Sequence, residues 1–170
     1  MLDVRHYRQC RAYTCGPACL RMVLDYYEIE AEEIDIEGAS GCNKFHGTRP
    51  AQMARYLRKR GLVARARSNL TLADIKADIR RGLPSIVCYQ AWSGPGVDLS
   101  TTVEHGHYAV IVGIGRNRVT LCDPSAKTKR IHIPAADFLA RWRDVDSRGT
   151  KFPRWALTVS PRKRASAHKR

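Results

Sequence analysis

The segment Cys15–Tyr27 constrains this chain more than any other. Leu20, Val23, Leu24 and Tyr27 follow the i, i+3, i+4, i+7 spacing of one helical face. Cys15, Ala18, Cys19, Met22 and Tyr26 fill the neighbouring face, leaving only Arg21, Asp25 and Glu28 as a polar stripe. A helix apolar around most of its circumference belongs at the centre of a fold, covered on several sides. Pro17 suits its first turn, where a missing N–H costs nothing.

The rest of the chain supplies what would cover it. Thr48–Arg60 is expected to form a second helix, capped by Thr48, with Pro50 in its first turn and Gly61 after its end. Thr71–Arg81 forms a third, with Thr71 and Asp74 as a capping pair and Gly82 as its stop. Strand signals follow. Pro84–Gln90 is a short apolar run, and Ala91–Gly106 a long loop. His107–Ile114 and Arg118–Cys122 flank Gly115-Arg116-Asn117 as a hairpin. Arg130–Ile133 adds a strand, Pro134–Arg143 a short helix and Trp155–Ser160 a last strand. Helices first and an antiparallel sheet later predict an α+β fold. Residues 1–160 are expected to form one domain. The basic tail from 161 to 170, which lacks apolar periodicity, is expected to be disordered.

Cys15 opens the central helix, where the dipole and free N–H groups favour a thiolate. Gly16 beside it lets a substrate approach the backbone closely. Taken alone, Cys15 reads as well as one more buried small residue, like Cys19. The hairpin adds weight. His107 opens its first strand and Asp123 follows its second. About a turn centred on residue 115 or 116, Asp123 falls opposite His107 or Ala109. Any register of even sum puts His107 and Asp123 on one face, within side-chain reach. An imidazole held by a carboxylate is the base half of a catalytic triad. A core histidine and an ordinary Asp-Pro-Ser turn are the plainer alternatives.

The six cysteines do not read as disulfides, because Cys88 and Cys122 sit in apolar runs and the N-terminus has no export signal. A reducing, cytoplasmic setting is expected. C-x4-C-x3-C over Cys10, Cys15 and Cys19 is not a zinc spacing. No apolar run approaches the roughly 20 residues of a membrane helix. Thirty Lys and Arg against sixteen Asp and Glu give a net charge of +14. Such a field suits an anionic partner, or solubility alone.

Gln9-Cys10-Arg11-Ala12-Tyr13-Thr14-Cys15-Gly16-Pro17-Ala18-Cys19-Leu20-Arg21-Met22-Val23-Leu24 resembles the opening motif of the C39 peptidases, papain-like domains that cleave double-glycine leader peptides. His107–Val112 and Val119–Pro124 resemble that family's His and Asp strands, and Gly47-Thr48 also fits. The resemblance spans roughly residues 6 to 159. It implies Cys15 as nucleophile, His107 as general base and acid, Asp123 as the orienting acid and Gln9 as the oxyanion donor. It further implies a peptide or protein substrate, a thioester intermediate and no metal or organic cofactor. Gly16, Trp92 and Gly106 are expected to border the substrate. Thr14 stands where the family often has an acid. Many members are fused to an ABC exporter. With no such region legible here, a stand-alone peptidase beside a separate ABC exporter is the expectation. An acyltransferase using the same residues is an alternative, and so is a basic module binding nucleic acid or anionic surfaces.

Overall fold

The computed structural model describes residues 1–92, 96 and 98–162. The tail expected to be disordered lies, from residue 163 onward, outside the described residues. A six-stranded antiparallel sheet runs in the order β1-β6-β2-β3-β4-β5. Its strands are β1 (Leu62–Arg67), β2 (Ser85–Gln90), β3 (Gly106–Ile114), β4 (Arg118–Cys122), β5 (Ile131–Pro134) and β6 (Ala156–Pro161). Five helices accompany it: α1 (Cys15–Tyr26), α2 (Glu33–Ser40), α3 (Pro50–Lys59), α4 (Leu72–Arg80) and α5 (Ala135–Arg141). The α+β expectation holds.

Both faces of the sheet are covered. On one, Cys88, Tyr108, Val110 and Leu157 pack with Leu20, Val23 and Leu24 of α1 and with Met53 and Leu57 of α3. On the other, Val87, Tyr89, Ala109 and Ile111 pack with Ile75 of α4 and with Phe138 and Trp142 near the chain's end. Double coverage explains why β2 and the body of β3 are apolar without alternation and buried along their length. It also accounts for the nearly all-apolar α1, eight of whose twelve residues are buried.

Two elements went unread in the sequence. Helix α2 carries Glu33, Asp35 and Glu37 and buries Ile36 as its apolar anchor. Two of these acids face inward to the loop before α1: Glu33 accepts from the Cys10 backbone N–H at 2.8 Å, and Glu37 from the Tyr13 hydroxyl at 2.9 Å. Strand β1 hides in a run of arginines, with Leu62 and Ala64 inward and Arg65 outward. One cap also differs. Helix α3 starts at Pro50 behind Arg49, whose backbone N–H donates to Gln52 Oε1 at 2.8 Å. Thr48 is buried instead of capping, turned toward Gly16. The Thr71–Asp74 capping box forms as expected.

Candidate active site

The geometry of the β3–β4 hairpin decides whether His107 and Asp123 share a face. Near the turn, Ile114 pairs with Val119 and Gly113 with Thr120, registers of odd sum. Past a bulge at Val112, Ile111 pairs with Leu121 and Val110 with Cys122, registers of even sum. One extra residue changes the parity of everything beyond it. The bulge is held from outside, since the Leu2 N–H donates to the Val112 carbonyl at 2.8 Å. Continued one step, the even register sets Asp123 opposite Ala109 and diagonal to His107. The His107 ring meets it there, with Nε2 2.9 Å from Asp123 Oδ1.

Both groups are buried, at 1% and 2% exposure. Burial alone works to raise the Asp123 pKa. The hydrogen bond and charge of His107, with hydrogen bonds from Tyr89 and Ser125, outweigh it and hold the carboxyl well below the usual range. Tyr89 donates to Oδ2 at 2.5 Å, and the Ser125 N–H and hydroxyl each donate to Oδ1 at 2.7 Å. His107 is the mirror case. Burial works to lower its pKa, but Asp123 and the nearby Cys15 thiol raise it to about 9. Cys15 is close enough to act on the ring, yet no formed hydrogen bond joins them, and buried Nδ1 has no partner. Such looseness before substrate arrives is ordinary for a nucleophile and its base.

Cys15 is half-buried and opens α1 behind Thr14. It lines a cleft of about 380 Å³ together with Thr48, Trp92, Gly106, Tyr108 and Asp144. Trp92 stands beside the His107 ring, centroids 4.8 Å apart, and is 45% exposed. Gly16 serves packing at this point. A Cβ there would fall 2.7 Å from Thr48 Oγ1 and 2.8 Å from its Cβ. Gly16→Ala is therefore expected to cost about 1–3 kcal/mol in urea unfolding, as overpacking does, and Thr48→Gly to recover most of that loss. An unchanged midpoint in Gly16→Ala would contradict the close approach.

Gln9 lies on the loop leading to Cys15, its backbone N–H held by the Pro124 carbonyl at 2.9 Å. Its side-chain amide donates to the carbonyls of Arg11 and Ala12 at 2.8 and 3.0 Å, so both N–H groups brace this loop. Tyr89 and Ser125 were not singled out in the sequence. Asp-Pro-Ser carried a signal for Ser125, since an aspartate commonly accepts from the N–H two residues on. Tyr89 carried none. It reaches Asp123 because it pairs with His107 across β2 and β3.

Among the described residues no group of three or more His, Cys, Asp or Glu is placed to hold a metal ion. No helix among them is long and apolar enough to cross a membrane. All six cysteines are unpaired. A second groove, at the β1–β6 edge, is lined by Arg65, Arg67, Arg81 and Arg162 around one acid, Asp78. Asp78 is already bonded by Arg67 and by Thr158.

Solved structures resemble this fold along nearly its whole length. A putative C39-like peptidase from Bacillus anthracis superposes with a TM-score of 0.74 at 15% identity, covering 95% of this chain and 96% of that one. The peptidase domain of Streptococcus ComA, a bi-functional ABC transporter involved in quorum sensing, gives 0.66 at 21% identity, covering 94% and 100%. A double glycine motif protease from an AMS/PCAT transporter, solved with its leader peptide, gives 0.64 at 21%, covering 94% and 93%. No curated protein matches the chain by sequence. The sequence pattern of the Peptidase_C39 like family matches residues 1–149, and the chain belongs to that family.

Proposed function

We propose that this protein is a cysteine peptidase that hydrolyses a peptide bond through a thioester on Cys15. The observation that carries this is the buried His107–Asp123 pair, with one ring nitrogen bonded to the carboxylate and the other left free beside a thiol at the mouth of a helix. The Cys15 sulfur, its proton passed to His107, attacks the scissile carbonyl carbon, and the carbonyl π electrons move to oxygen. Collapse of that oxyanion expels the amine, which takes its proton from His107. His107 then removes a proton from water, which attacks the thioester and releases the acid and Cys15. Asp123 keeps the ring oriented and offsets its charge throughout.

The Cys15 N–H, the first in its helix, is a natural donor to the oxyanion. Gln9 is the second, once its amide turns from at least one loop carbonyl. Gln9→Ala is expected to lower kcat about 10²–10³-fold with little change in KM. An unchanged kcat would reduce Gln9 to a loop brace. Trp92 and Gly106 wall the peptide, and Gly16 admits Thr48 to the same wall.

The substrate class follows the neighbours. One is a double glycine motif protease bound to a leader peptide, and we propose a leader peptide here too, processed beside a separate ABC exporter in the cytoplasm. Incubation with double-glycine precursors in ¹⁸O-water should place one heavy oxygen on the new C-terminus, read by mass spectrometry. Conjugates to added amines in place of heavy oxygen would make the protein an acyltransferase. The arginine groove supports an anionic partner separate from the cleft. Failure of the protein to bind a polyphosphate resin at low salt would remove that partner.

A further inference from the structure

The chain carries +14 overall, yet its cleft is acidic. Asp144, Asp146 and Glu104 line it, against Arg49 and His46. Arg49 acts on Asp146, which is held low mainly by the Thr150 and Arg148 N–H groups against its desolvation. Asp144 has the Val145 N–H on its side but no cation. Its oxygens accept from the Cys88 thiol at 3.0 Å and from Gln90 Nε2 at 3.2 Å. No Lys, Arg or His pairs with it among the described residues. Burial, with Asp146 adding to it, raises its pKa.

The fold makes room for this carboxylate. A Cβ on Gly106 would fall 2.5 Å from each Asp144 oxygen, so the residue before His107 has no side chain where Asp144 enters. The cleft lacks a partner on a second wall as well. Thr48 is 2% exposed, and its buried Oγ1 makes no formed hydrogen bond, with only the weak Cys42 thiol near it. A half-buried carboxylate without a cation and a buried hydroxyl without a partner both cost stability. Both deficits are relieved by a ligand that brings positive charge and hydrogen-bond donors into the cleft.

We propose that Asp144 is the specificity-determining residue of the cleft, selecting peptides that place a lysine, an arginine or a free amine beside the scissile bond. This rests on Cys15 being the nucleophile. The inference reaches beyond the double-glycine class, because glycine offers no side chain to Asp144.

Methanethiosulfonates of three charges test it on the whole protein at pH 8, with modification of Cys15 followed by peptide mapping. The methyl reagent is neutral, the trimethylammonioethyl reagent cationic and the sulfonatoethyl reagent anionic. The cation-to-anion rate ratio at Cys15 should fall about tenfold in Asp144→Asn, the scale of one charge removed at close range. It should stay unchanged in Asp3→Asn on the exposed surface. On the wild-type protein, n-butylammonium should slow methylthiolation of Cys15 by the neutral reagent several-fold at concentrations where butanol and butyrate do not. An unchanged ratio in Asp144→Asn, or equal protection by the three butyl compounds, overturns the proposal. A Cys15 no faster than Cys10 with the neutral reagent would instead overturn the nucleophile assignment.

Discussion

Cys15→Ala is expected to reduce kcat/KM by at least about four orders of magnitude while leaving the fold intact. The asymmetry follows from where Cys15 sits. It is half-buried at the start of α1, while the core contacts of that helix belong to Leu20, Met22, Val23 and Leu24. Removing one sulfur at the cleft wall opens space toward solvent rather than a cavity in the core, so the unfolding midpoint should barely move. The chemistry has no second route, since an alanine offers no electron pair to the carbonyl. Labelling separates this from a structural cysteine. Burial pushes the Cys19 and Cys88 thiols far up and that of Cys122 up to about 11, which leaves them slow. Burial with Glu33 nearby raises Cys10, and burial raises Cys42. Only Cys15 has His107 beside it. Iodoacetamide at pH 7 should therefore label Cys15 first, and equal rates at Cys10 and Cys42 would count decisively against its role.

The sequence carried most of the sheet and little of what aims it. Strands β2 and β3 were legible because a doubly covered sheet needs apolar runs, and β4, β5 and β6 through their β-branched residues. Helix α2 was not. Its work is polar, holding the loop before Cys15 through Glu33 and Glu37, and its apolar side is little more than Ile36. Strand β1 was not legible because an edge strand keeps its outward residues in water, and its arginines hide Leu62 and Ala64. The His107–Asp123 pairing was legible only as a condition on parity. The turn itself delivers the wrong parity, and the Val112 bulge corrects it by accepting a bond from Leu2. No spacing within the hairpin shows a bulge anchored over a hundred residues away. Tyr89 and Asp144 lie deeper still. Their place depends on which strands become neighbours, and that is a property of the assembled sheet.

Asp123→Asn should change activity, its pH dependence and stability together, each with a determined sign. In the native protein His107 is raised from 6.5 to about 9. The proton it holds therefore stabilises the fold fully below about 6.5, and this contribution fades as pH rises through about 9. Asp123 is lowered from 3.8, so its contribution is present above that value and is lost only as strongly acidic pH reaches the depressed one. Asparagine removes the carboxylate charge that opposes burial of the ring and leaves only Cys15 to do so, so the His107 pKa should fall from about 9. The alkaline limb of kcat/KM should then move from near 9 to lower pH. The amide also presents an N–H to Nε2 as readily as an oxygen, which favours the wrong tautomer, and kcat should fall about 10⁴-fold. Breaking a buried pair costs about 3 to 5 kcal/mol at pH 7. Tyr89 donates to one carboxylate oxygen and Ser125 to the other, so the single amide oxygen leaves one of these donors without its acceptor, which keeps the loss away from the lower end. Urea titrations at pH 7 and pH 10 should show the wild-type protein losing stability between them and the variant losing much less. An imidazole NMR titration that still centres near 9 in Asp123→Asn would mean that Asp123 does not hold the proton on His107, and the catalytic role assigned to the pair would fall with it.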